Sequence, residues 1–204
     1  KAGIDAAVDY VKVSVGEGSD LNESLNAVRV SYGEFAGDID ALSKNSATDL
    51  GLSRVDFNGI ATQFSAFSAK IRADDPAGLI GELSTRGADF ASVYNIEVAD
   101  ALALFQSGLA GETEPLRKYG VDLSAATVQQ YAYANGIAET GDKLTDTQRV
   151  QAAYGALMEQ TTKTQGDFAN TSDGLANSQR ILQAQFEDTQ AELGMKLLPV
   201  LTDV

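Results

Sequence analysis

The sequence predicts an all-α fold, a multi-helix bundle of about nine helices, on three observations. Apolar residues recur every three or four positions along nearly the whole chain. No stretch alternates apolar and polar residues as a half-buried strand would. Glycine interrupts the apolar stripes at intervals suited to short helix–helix loops. With 204 residues, 44% of them hydrophobic, and 8 Phe and 7 Tyr, the chain has enough apolar material to bury a core and is not of disordered composition.

The first stripe is Ile4, Val8, Val11 and Val15, with Gly16 and Gly18 expected to stop the turn. Asp20 with Glu23 resembles a capping box opening a helix along Leu21, Leu25, Val28 and Tyr32. Phe35, Ile39 and Leu42 continue the pattern as far as Gly51, a C-cap, and Ser53 then caps a helix with Ile60, Phe64, Phe67 and Ile71 on one face. Asp75-Pro76 is a start signal, because proline at the first helical position gives up a donor that has no partner there anyway. The helix behind it points Leu79, Leu83, Phe90 and Tyr94 inward. Val98, Leu102, Phe105 and Leu109 form the next stripe, ending near Gly111. Glu114-Pro115 starts a short helix ended by Gly120, and Ser124 opens one through Val128 and Tyr131 that closes near Gly136. Thr145 with Gln148 is a second capping box, ahead of Val150, Tyr154 and Leu157, in a helix expected to run to Gly166.

The last helix, capped by Thr171 or Ser172, carries the stripe Leu175, Leu182, Phe186, Leu193 and Leu197. Its steps of seven, four, seven and four form an eleven-residue repeat, which suits a straight or slightly right-handed bundle. A second apolar line, Ile181, Ala184, Ala191, Met195 and Leu198, widens the face. The stripe serves either as the core-facing side of a bundle helix or as an oligomerising surface. Pro199 should mark a kink or the first turn of a new helix. Gly166 is a soft boundary between a globular region, 1–165, and a long amphipathic helix, 166–204. The start at Lys1, without Met, suggests a piece of a longer or processed polypeptide, and Pro199 hints at continuation past Val204.

Charge narrows the function. With 29 acidic against 15 basic residues and a net charge of -14, the average surface repels nucleic acid and anionic membranes. The longest nearly apolar run, Leu193 to Leu201, is broken by Lys196 and is far shorter than the roughly 20 residues of a membrane span. No histidine and no cysteine are present, so the commonest zinc ligands, the commonest general base and any thiolate are missing. No cofactor or metal is expected.

Other chemistry rests on weak patterns. Glu112 with Glu114, and Glu97 with Asp100, are carboxylate pairs of the kind glycoside cleavage uses, but among 29 acidic residues such spacing arises by chance, and Glu114 suits a helix start. Asp38 and Asp40 lack the remaining ligands of a calcium loop, and neither Asn58-Gly59 nor Gly78 and Gly81 precede the GKS or GKT of a phosphate loop. Tyr119, Tyr131 and Tyr133 have no basic patch beside them and read as core and rim rather than as base-stacking residues.

Several long phrases, in order, carry a resemblance. GETEPLRKYGVDLS, QAAYGALMEQT and GDFANTSDGLANSQRIL, within Phe105 to Leu201, resemble the tape measure proteins of long-tailed bacteriophages, in particular those of phages infecting actinobacteria. Upstream, SDLNESLNAVRVSYGEFAGDIDALSKNSATDLGLS is similar to the preceding part of the same helical region, so almost the whole chain is covered. The resemblance implies a virion structural protein, largely helical, present in a few copies and commonly a trimer. It implies a place in the tail tube lumen or at the tail tip, partners among the tail tube, tail tip and tail assembly chaperone proteins, control of tail length, and ejection ahead of DNA into the host envelope. On that reading 1–165 is the conserved globular region, and 166–204 leads towards a helical rod or coiled coil. The alternative is a muralytic, peptidoglycan-cleaving module, which some members of the family carry.

Overall fold

The computed structural model describes residues 2–71 and 74–202, excepting the side chains of 2–7 and 200–202. Among the described residues the fold is all-α, with no strand. The helices are α1 (Ala2–Tyr32), α2 (Ala36–Ser43), α3 (Ser46–Leu50), α4 (Arg54–Ile71), α5 (Pro76–Tyr94), α6 (Val98–Ala110), α7 (Glu114–Arg117), α8 (Ala125–Ala134), α9 (Asp146–Gln160), α10 (Asp167–Asn170) and α11 (Leu175–Thr202). Single 3₁₀ turns occupy Gly33–Phe35 and Thr162–Thr164. The chain packs as two compact units, residues 1–63 with 173–204, and residues 64–172.

In the first unit α1 and α11 pack along each other, with α2, α3 and the first half of α4 completing the core. Leu21, Val28, Ile39 and Phe57 are almost wholly removed from water, each contributing about 1.5–3 kcal/mol of burial. Here the structure corrects the sequence reading. α1 runs unbroken through Gly16 and Gly18 to Tyr32, so no helix starts at Asp20. Val8 and Val11, expected inward, are 47% and 41% exposed, and Ile4 lies outside the described side chains.

Gly18 is in the helix because of what crosses it. A Cβ at Gly18 would collide with the backbone of Gly194 and Met195, and one at Gly194 would overlap the Ser14 carbonyl oxygen. The two helices meet backbone to backbone, which only glycine permits. The roughly 1 kcal/mol that each mid-helix glycine costs in propensity is offset by this approach.

The second unit follows the sequence closely. Asp75 caps α5 through Gly78 N at 2.9 Å, with Pro76 in the first turn, and Ser124 caps α8. Thr145 and Gln148 form both halves of a capping box on α9. Gly111 closes α6 with φ of 110°. Leu79, Leu83, Phe105 and Leu157 are buried in the unit's core, and the ring of Phe90 meets those of Phe105 and Tyr119 edge-on, both at 5.2 Å.

Two terminations differ from expectation. α9 ends at Gln160, not at Gly166, because Thr161 turns back to bond the Leu157 carbonyl while Arg86 takes the Thr161 carbonyl at 2.8 Å. Asp89 then accepts from Gly166 N at 2.8 Å and Phe168 N at 3.1 Å, fastening the segment onto α5. At the last helix, Ser172 bonds back to the Ala169 carbonyl, and α11 starts later, at Leu175, with the Gly174 carbonyl accepting from Ser178 N. Pro199 lies inside α11 and no new helix begins there.

Candidate interaction face

α11 has two apolar sides, and the one packed inward is the less conspicuous. Asn177, Ala184 and Ala191 are 3%, 3% and 1% exposed and recur at seven-residue spacing. On α1, Ser14, Leu21 and Val28 are buried at the same spacing. Matching heptads of this kind keep two helices in register along a shared seam. The second apolar line of the sequence is therefore the packed one: Ala184 and Ala191 are buried, and Ile181, Met195 and Leu198 are half-buried.

The stripe Leu175, Leu182, Phe186, Leu193 and Leu197 faces away from that seam. Leu182 and Leu193 each lie two positions from a buried alanine, which at about 100° per residue is the opposite side of the helix. Leu175 is 78%, Leu182 68% and Phe186 54% exposed, while Leu193 and Leu197 are half-buried. From Leu175 to Phe186 the only charged residue is Arg180. Three large side chains on a low-charge surface, in a chain of net charge -14, form an unpaired apolar line.

Polar contacts orient the helix so that this line stays outward. Asp188 Oδ1 accepts the backbone N–H of Arg54, in the first turn of α4, at 2.7 Å. The Arg54 guanidinium reaches Asp40 of α2 at 3.0 Å and Glu192 of α11 at 3.7 Å, and Lys44 holds the other Asp40 oxygen at 2.8 Å. Burial works against ionisation of Asp40, but the hydrogen bonds and charges of Lys44 and Arg54 outweigh it and lower its pKa. Asp188 shifts upward: burial dominates, with Glu192 and Glu187 adding to it, against the pull of Arg54. Glu17 on α1 also shifts upward, through burial first and then Asp20, Glu187 and Asp56. Carboxylates crowd this side of the first unit, with Arg54 and Lys44 among them.

None of the other candidates assembles into a reactive group. Glu114 pairs with Arg117 at 3.1 Å on the surface of α7, and Glu112 is exposed. Glu97 precedes α6, and Asp100 is exposed in its first turn. Asn58 and Gly59 are inside α4, and Gly78 and Gly81 inside α5. Tyr119 belongs to the ring cluster of Phe90 and Tyr94, Tyr131 lies over Gly155, and Tyr133 donates to the Asp142 carbonyl at 2.6 Å, so the three phenols serve separate packing roles. Among the described residues no three acidic side chains are grouped to hold a metal, and no helix is long and apolar enough to cross a membrane.

No protein-family model, curated protein or solved structure matches this chain.

Proposed function

We propose that this chain is a structural region of a phage tape measure protein, acting through packing and self-association rather than catalysis. The observation that carries the reading is the ordered run of phrases through Phe105 to Leu201 that resembles that family. The outward line on α11 supports it, because a helix already packed on one side and still apolar on the other is built for a second neighbour. In this reading Leu175, Leu182 and Phe186 join copies of the chain, three in the assembled tail, and the neighbouring proteins are those of the tail tube, the tail tip and the assembly chaperone. An acidic surface suits passage down a tube ahead of DNA, since it does not adhere to the phosphate backbone.

Mass spectrometry of purified virions tests the placement. Peptides of this chain should be found in tails separated from heads, and should leave the tail when DNA ejection is triggered. Their absence from tails, or their retention after ejection, overturns the reading.

A further inference from the structure

The second unit contains a chamber of about 310 Å³ between the end of α6, the start of α8 and the middle of α9. That is at the small end of the roughly 300–1,000 Å³ typical of ligand pockets. Leu109, Leu123, Val128 and Ala153, all buried, form its apolar walls. Lys143, Leu144 and Arg149 line its mouth side.

The loop that places Lys143 and Leu144 is pinned at several points. Tyr133 Oη donates to the Asp142 carbonyl at 2.6 Å, immediately before Lys143. Gln148 Nε2 donates to the Ile137 carbonyl at 2.7 Å, while the other end of the Gln148 side chain closes the capping box with Thr145. The mouth is therefore preorganised. Among the described residues Lys143 forms no ion pair, and Arg149 gives one terminal nitrogen to Asp146 and has further N–H groups to offer. The N-terminus of α8, at Ser124 and Ala125, borders the same chamber, but the Asp122 carboxylate already accepts from Ser124 N at 3.0 Å and from Thr127 Oγ1 at 2.7 Å, so the anion-binding groups are the side chains of Lys143 and Arg149.

Apolar walls suit an apolar body, and Lys143, with the N–H groups Arg149 has beyond its pair with Asp146, suits an anionic head. A carboxylate matches a guanidinium in width and requires fewer donors than a phosphate. We propose that this chamber is a binding site for a small amphiphilic carboxylate, its aliphatic body against Val128 and Ala153 and its head at Lys143 and Arg149. The proposal stands apart from the tail-protein reading and survives or fails without it.

The test is a titration of the ¹⁵N-labelled 204-residue chain with octanoate, with neutral octanol as control. Saturable shifts are expected at Val128, Leu144 and Ala153, with octanol binding more weakly. Lys143→Ala should weaken octanoate roughly threefold to fivefold, the scale of one exposed charge contact. Ala125→Trp, at an exposed position on the mouth, should block binding while leaving the fold intact, whereas Val128→Trp fills the chamber itself. No saturable shift, shifts confined to the α11 stripe, octanol equal to octanoate, or undiminished binding in a folded Ala125→Trp protein would each overturn the assignment.

Discussion

Gly194 shows how a single residue fixes the first unit. Its missing Cβ lets α11 lie against the Ser14–Gly18 turn of α1, and the obstacles to any side chain there are backbone atoms that cannot rotate away. Gly194→Val should therefore cost at least the upper part of the about 1–3 kcal/mol of ordinary overpacking, read as a lowered urea midpoint; an unchanged midpoint would show that the helices do not touch here. Asp89 plays the corresponding part in the second unit. Asp89→Ala leaves the N–H groups of Gly166 and Phe168 without their acceptor and should cost about 2–3 kcal/mol in the same experiment. The carboxylates near the α1–α11 seam predict a pH dependence. Glu17 and Asp188 have folded-state pKa values raised above the ordinary range, so they bind more protons folded than unfolded. Their contribution is fully present below the ordinary carboxylate pKa and is lost as pH rises through the raised values. Glu17→Gln with Asp188→Asn, which keeps an oxygen for Arg54 N, should flatten that decline; a decline of unchanged slope would assign it to other groups. At this scale the sequence was legible at several caps: Ser53, Asp75, Ser124 and the Thr145–Gln148 pair cap as their types and spacing predict, whereas Asp20 and Glu23, inside α1, start no helix. It was not legible at Gly18, which α11 crosses. A glycine that stops a helix and one that admits another helix look the same until the partner is known.

Among the elements, α11 is where pattern and packing part. Large side chains dominate any apolar stripe read from sequence, so Leu175, Leu182 and Phe186 define the conspicuous face, yet the packed seam uses Asn177, Ala184, Ala191 and Gly194. Close approach favours small residues, and small residues carry little signal. The outward line predicts that Leu182→Asp with Phe186→Asp leaves the thermal midpoint within a few degrees of its original value, since both side chains are already exposed, while reducing the molecular mass of any assembly measured by light scattering. A large loss of stability would mean the face is internal; an unchanged assembly mass would mean the stripe joins no copies. The end of α9 was hidden for a different reason. Arg86 and Asp89, from α5, draw residues 161–168 off the helical path, and nothing in the local sequence near Gly166 announces them.

For the molecule as a whole, the all-α class was legible because the periodicity is strong and continuous, and no strand occurs among the described residues. The grouping of helices was not. The expected boundary near Gly166 is a local feature of composition, whereas the first unit joins residues 1–63 to 173–204, a pairing of distant segments that no window along the chain contains. The proposed function belongs to this scale too, since a helical bundle converts residue count into length at about 1.5 Å per residue. On the proposed reading, an in-frame deletion of a defined helical block from the same polypeptide in its parent phage, followed by electron microscopy of the tails, addresses the role most directly. The tape measure reading predicts tails shortened by about 1.5 Å for each deleted residue. Tails of unchanged length would contradict it.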